Sequence, residues 1–120
     1  MKKILFVCTS NADRSPALEK YFREFYPEHK YKSAGINNFH CARKGNHYIE
    51  QADIDWADVL IFCEQIHQEI VFRNFSFYDE ANPTKKKSGL ILGLGEYEKG
   101  NINDNYLLKA KDKLKTILES

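Results

Sequence analysis

The chain is poor in the residues that most often give a small protein its class. Its 120 residues include three cysteines, three prolines, six glycines, one methionine and one tryptophan. The cysteines, at 8, 41 and 63, are odd in number and widely spread. They make neither the dense framework of a disulfide scaffold nor the CxxC pairs of a zinc site, so each has to be judged by its own surroundings. A charge of one sign is also missing. Eighteen Lys and Arg against 17 Asp and Glu leave +1, so no long-range field gathers nucleic acid or an anionic membrane surface. No apolar run approaches the roughly 18 residues of a membrane helix. The opening MKKILFVC turns polar at TSNADRS without a secretory apolar core or a small-residue cleavage site. These absences lead us to expect a soluble, cytoplasmic protein with neither a nucleic-acid nor a membrane partner. Repeats and low-complexity tracts are missing too, and the one charge run, Lys85 to Lys87, reads as a solvated turn.

Apolar material is plentiful: 42% of residues are hydrophobic and 13% aromatic, enough to fill one core in a single domain over residues 1–120. Lys3 to Val7, KILFV, reads as a strand buried on both faces. After the polar loop CTSNADRS, the segment SPALEKYFREFYP reads as a helix with Ser15 as its cap and Pro16 in its first turn. Ala17, Leu18, Tyr21, Phe22 and Phe25 recur along it at helical spacing. Lys30–Gly35 and Val59–Cys63 read as further strands, with a helical or irregular stretch Asn46–Trp56 between them. Gln65–Phe75 reads as a helix with Ile66, Ile70, Val71 and Phe75 on one side. A turn-rich DEANPTKKKSG precedes a strand at Gly89–Leu92. Ile102, Tyr106, Leu107, Ala110, Leu114, Ile117 and Leu118 then mark a final helix of 3.6 period. Strands alternating with helices imply an α/β sandwich around a mainly parallel sheet.

In such sheets ligands bind at the carboxyl ends of strands, which directs attention to the turn after the first strand: Cys8, Thr9, Ser10, Asn11, Ala12, Asp13, Arg14 and Ser15. A turn that runs into a helix N-terminus can wrap backbone N–H groups around a tetrahedral oxyanion, with the helix dipole favouring negative charge. Arg14 adds a fork that matches two phosphate oxygens. The field that binds the dianion also stabilises a thiolate at Cys8, so one loop can both bind a phosphate and arm a nucleophile. The alternative is that Cys8 is a small buried hydrophobe at a strand end.

The segment ILFVCTSNADRSPALEKYF resembles the low-molecular-weight protein tyrosine phosphatases, most closely a short bacterial branch. The family's nucleophile Cys, loop Asn, Arg and Ser-Pro fall on Cys8, Asn11, Arg14, Ser15 and Pro16. SAGINNFH, Ser33 to His40, and ADVLIFCEQIH are further matches. The resemblance implies a three-layer sandwich with a four-stranded parallel sheet and a cysteine-dependent phosphomonoesterase needing no cofactor and no metal. Its substrate would be a phosphotyrosine-containing protein or a small aryl phosphate, and inorganic phosphate or sulfate would sit in the loop. It further implies that Ser15 hydrogen-bonds the Cys8 sulfur, that Asn11 ties the loop to Ser33, and that Phe39 is an aromatic wall for the substrate, with Tyr97 opposite it. Ser33 reads equally well as an ordinary strand-end hydroxyl, and both aromatics as core or rim residues. Between Gly35 and Ala57 the chain is shorter than full-length members, as if one helical excursion were missing.

Two departures stand out. The family's general acid is an Asp in an Asp-Pro-Tyr stretch, and this chain has none. Gly95-Glu96-Tyr97-Glu98 stands in its place, making Glu96 the candidate acid, with Glu98 and the more distant Asp79 as alternatives. Glu96 and Glu98 read equally as members of a solvated loop. Asp13 puts a carboxylate beside Arg14, weakening anion binding if turned inward and buttressing the guanidinium if turned outward. Redox-sensitive members carry a second Cys at that position, and this chain does not. Cys63 reads as buried at a strand end. His40 and His67 lack metal spacing and read as surface residues or as residues one layer behind the site. Two other functions remain in play: a phosphoryl-binding domain without catalysis, and arsenate reduction, which would need two further cysteines close together in the second half of the chain.

Overall fold

Lys3–Cys8 (β1) is apolar on both sides, and Ile4, Leu5, Phe6 and Val7 are all fully buried. A strand of that kind has to lie inside a sheet with both faces covered. In the computed structural model it does. The structure describes residues 1–9, 14–37, 39, 41–42, 46–76, 78–79, 82–86, 88–93 and 104–119. β1 is followed by α1 (Arg14–Phe25), β2 (Lys30–Gly35), α2 (Gln51–Trp56), β3 (Val59–Phe62) and α3 (Gln65–Asn74). Then come β4 (Tyr78–Asp79), β5 (Asn82–Lys86), β6 (Ser88–Ile91) and α4 (Asp104–Leu118).

The four-stranded sheet has the order β2-β1-β3-β6, and every pairing is parallel. The register places Cys8 opposite Gly35, and Ile4 and Phe6 opposite Val59 and Ile61. Alternation along the strands then sorts the core into two layers. Ile4, Phe6, Cys8 and Ile61 meet Leu18 and Phe22 of α1 and Tyr106, Ala110, Leu114 and Leu118 of α4. Leu5, Val7, Leu60 and Phe62 meet Ile54 of α2 and Val71 of α3 on the other face. Helices thus cover both faces, as the three-layer expectation requires. Aromatic rings stack within the first layer, where Phe6 lies on Phe22 at 5.5 Å between centroids and on Tyr31 at 6.2 Å. Each such ring contributes about 1.5–3 kcal/mol by leaving water.

The chain steps from β1 outward to β2, then returns across β1 to β3. The order therefore reverses between β1 and β3, and the crevice at such a reversal is where open α/β sheets bind ligands. Cys8 stands at the carboxyl end of β1, on that crevice.

Some local expectations change. α1 begins at Arg14, so Ser15 lies inside the first turn and does not cap it, and Phe25 at its end is 56% exposed. On α3 the buried residues are His67 and Val71, whereas Ile66 is exposed; the helix is rotated by about one position from its apolar pattern. The turn-rich segment before β6 is an antiparallel ribbon, with Tyr78 opposite Lys86 and Asp79 opposite Asn82, so Lys85 and Lys86 belong to a strand. Pro83 and the three lysines favoured a turn on composition, but a two-stranded ribbon has free edges on which a residue without an N–H is tolerated.

Candidate active site

The carboxyl ends of the strands finish level with one another. Cys63 N–H donates to Val7 C=O, Leu92 N–H to Phe62 C=O and Gly93 N–H to Cys63 C=O, at 2.8–3.0 Å. β2 continues past its last residue in the same way: Ile36 N–H donates to Cys8 C=O at 3.0 Å and Asn37 N–H to Thr9 C=O at 2.9 Å. The start of the loop is therefore held by backbone bonds to its neighbour.

Cys8 is 3% exposed, and its Sγ lies 2.9 Å from Oγ of Ser15, which is fully buried in the first turn of α1. The two residues are joined across the loop by this contact. It also places the sulfur at the N-terminus of a 12-residue helix, whose first N–H groups have no partner within the helix. Ser10, Asn11, Ala12 and Asp13 lie outside the described residues, and for Arg14 only the place in the chain, as first residue of α1, is described.

Ser33 sits on β2 opposite Phe6, two positions before Gly35. Its hydroxyl donates to Glu19 Oε1 of α1 at 2.7 Å; Asn11, the partner expected for it, lies outside the described residues. Glu19 is in turn bound by Arg23 at 2.6 Å, and Arg23 also donates to Tyr31 C=O at 3.0 Å. These residues, with Lys32, His47 and Asp53, line an open cleft of about 450 Å³ along the outer side of β2. His47 Nε2 and Asp53 Oδ2 are 2.8 Å apart there.

Phe39 is helical and 66% exposed. Glu96, Tyr97 and Glu98 lie outside the described residues. The last described residue before them, Gly93, has φ of 54°, a left-handed backbone that glycine adopts without strain. Asp79 belongs to β4 of the ribbon, apart from the four-stranded sheet. His40 lies outside the described residues.

Cys41 and Cys63 are both fully buried, and neither is in a disulfide. Burial, and next to it the neighbouring Cys8, push the Cys41 thiol up, against a smaller lowering by the Asn37 backbone. Among the described residues no three His, Cys, Asp or Glu side chains converge as a metal site, and no described helix is long and apolar enough to cross a membrane.

His67 is the residue whose place the sequence did not resolve. It is 1% exposed, and its Nε2 is 3.0 Å from Thr9 Oγ1 while Glu64 N–H donates to its Nδ1 at 3.0 Å. One signal was available. Glu64 and His67 have the three-residue spacing of a helix-start capping box, in which the side chain three positions on receives the N–H of the cap. The same spacing recurs where Glu50 N–H donates to Asp53 Oδ2 at 2.8 Å. Glu19 gave no comparable signal, because its pairing with Arg23 looks like an ordinary surface pair one helical turn apart.

A family model described as low molecular weight phosphotyrosine protein phosphatase matches residues 3–55. The chain is 29% identical over 125 residues to the low molecular weight protein-tyrosine-phosphatase PtpB of Staphylococcus aureus, covering 87% of this chain and 81% of that one. Among solved structures it resembles the tyrosine phosphatase Wzb of Escherichia coli K30 in complex with phosphate. That TM-score is 0.67 at 21% identity, covering 99% of this chain and 98% of that one. It also resembles the YwlE arginine phosphatase of Geobacillus stearothermophilus, with a TM-score of 0.62 at 23% identity over 99% of this chain and 89% of that one. The fold is thus common to phosphatases with different leaving groups.

Proposed function

We propose that this chain, a homologue of the low molecular weight protein-tyrosine-phosphatases, hydrolyses phosphotyrosine or a related aryl phosphate through a thiophosphate on Cys8. The observation that carries the reading is the 2.9 Å contact between Cys8 Sγ and the buried Ser15 hydroxyl at the start of α1. In the first step the Cys8 sulfur attacks phosphorus in line. An S–P bond forms as the P–O bond to the aryl group breaks, and an acid protonates the departing oxygen. In the second step water attacks phosphorus and the S–P bond breaks. The Ser15 O–H then donates to the leaving thiolate. The loop N–H groups from Thr9 to Ser15 and the Arg14 guanidinium hold the equatorial oxygens, where charge spreads in the transition state. The same donors would hold free inorganic phosphate or sulfate. Asn11 braces the loop against Ser33, and Phe39 and Tyr97 flank the aryl ring.

Glu96 is our assignment for the acid. Gly93 ends the run of β6, two strands from β1, and two strand spacings are about 10 Å. Three further residues reach about the same distance, so a carboxylate at 96 is within range of the loop. Three cysteines outside any disulfide fit a reducing compartment, and we place the enzyme in the cytoplasm.

The test is turnover of p-nitrophenyl phosphate between about pH 5 and 7.5, compared with Cys8→Ser. The expected result is hydrolysis that falls to background in Cys8→Ser while inorganic phosphate still binds. Phosphate binding without turnover in the parent chain would overturn the catalytic reading and leave a phosphoryl-binding domain.

A further inference from the structure

The ring of His67 lies between the start of α3 and the start of the loop, and its contacts permit one protonation state. The Glu64 N–H can only donate, and it meets Nδ1 at 3.0 Å, so Nδ1 bears a lone pair. An imidazole with a bare Nδ1 is neutral and carries its proton on Nε2. Nε2 stands 3.0 Å from Thr9 Oγ1, so Nε2–H donates and the Thr9 oxygen accepts. With the ring 1% exposed, the bond sits in a medium where it is stronger than in water. Thr9 is held a second time through its C=O, which accepts the Asn37 N–H at 2.9 Å. The residue after the nucleophile is therefore gripped from β2 through backbone and from the β3–α3 junction through a side chain.

We propose that His67 is a positioning residue of the phosphate loop. By donating from Nε2 to Thr9 Oγ1 it fixes Thr9, and with it the aim of the loop N–H groups at the phosphoryl oxygens. What the loop holds rests on the phosphatase reading above; the geometry of the ring does not. The other nitrogen has a separate task, since Nδ1 accepts the N–H of Glu64, the residue that caps α3, as a Glu or Gln side chain does in a capping box. The two tasks can be separated chemically, because a Gln amide N–H falls near the Nε2 position and an Asn carbonyl near the Nδ1 position.

His67→Asn should keep its melting temperature near that of the parent, yet weaken inorganic phosphate binding and lower kcat/KM for p-nitrophenyl phosphate by about tenfold, the loss of one buried hydrogen bond. His67→Gln should hold phosphate affinity within about threefold and lose thermal stability instead. Adding Thr9→Val to His67→Asn should cost nothing further, because both remove the same contact. In ¹⁵N NMR spectra of the parent, His67 should show a protonated Nε2 and a bare Nδ1. Equal phosphate affinity in the parent and His67→Asn, equal losses in the Asn and Gln variants, or a proton on Nδ1 would each overturn the proposal. If the parent turns over nothing, the phosphatase reading fails, while phosphate titration and the NMR tautomer still decide the role of His67. Should His67→Asn not fold, Thr9→Val alone supplies the comparison from the other partner.

Discussion

His29 and His67 sit at opposite ends of the first strand. At its start, His29 Nδ1 accepts the Lys2 N–H at 3.0 Å and its Nε2 donates to Leu118 C=O at 2.9 Å. Beyond its end, His67 Nδ1 accepts the Glu64 N–H and its Nε2 donates to the Thr9 hydroxyl. Both rings are buried and both are held as the same neutral tautomer. Only the partner of Nε2 differs. His29 joins two backbone groups 116 residues apart, tying the first strand to the last turn of α4. His67 exchanges one backbone partner for a side chain in the loop, so the same hydrogen-bonding chemistry passes from holding the fold to aiming the site.

The two histidines are separable by experiment. The largest effect belongs to Cys8→Ser, which removes turnover without touching either histidine and sets the background for the rest. His29→Leu comes next: it leaves the Lys2 N–H and Leu118 C=O short of a buried partner and should cost about 2–4 kcal/mol in chemical denaturation, with phosphate affinity unchanged. His67→Asn should show the reverse, about a tenfold loss at the site and little loss of stability. A stability loss in His67→Asn as large as that of His29→Leu, with phosphate binding intact, would erase the distinction.

The smallest effect is a pH dependence. Burial raises the Tyr31 phenol, with the charge of Glu28 adding to it, and Tyr31 packs beside His29 at 6.5 Å. Cys41, whose C=O and N–H tie into the segment leading from β2, is raised as well. A raised acid group contributes stability that is present below its unfolded pKa and is lost as pH climbs toward its folded value. Denaturation midpoints should therefore fall above about pH 9, where the thiol ionises in the unfolded chain, and fall further above about pH 10, where the phenol does. Tyr31→Phe should remove the upper step alone; an unchanged alkaline profile would show that the phenol is not the cause.

The sheet was legible in the sequence because β1 and β3 are continuous apolar runs, a pattern that only a doubly covered strand requires. The meeting of Cys8 and Ser15 was legible through the family resemblance, whose motif carries both residues in one contiguous segment between a strand and a helix. His67 was not, because its contact with Thr9 joins residues 58 apart. The Glu64–His67 spacing speaks for the Nδ1 contact alone and does not say which side of α3 faces the loop, and Ile66 and Ile70 pointed to a neighbouring face. The ribbon at Tyr78–Lys86 was hidden by turn-forming composition, since a two-stranded pairing buries too little to impose an alternation.

The outer edge of β2 bears on a different property. Lys30 N–H and Ile36 N–H point inward, to Lys2 and Cys8, so Tyr31, Ser33 and Gly35 present their backbone groups outward. Arg23 occupies the Tyr31 carbonyl, and Gly35 is paired on both sides, its N–H with His47 C=O and its C=O with Ile49 N–H. Among the described residues, the Tyr31 N–H and the two backbone groups of Ser33 are left along this edge, flanked by exposed lysines at 30 and 32. So short a template, bounded by Arg23 at one end and by the paired Gly35 at the other, is a poor seed for an added strand, so concentrated solutions of the folded chain should resist edge-to-edge fibril growth along this side.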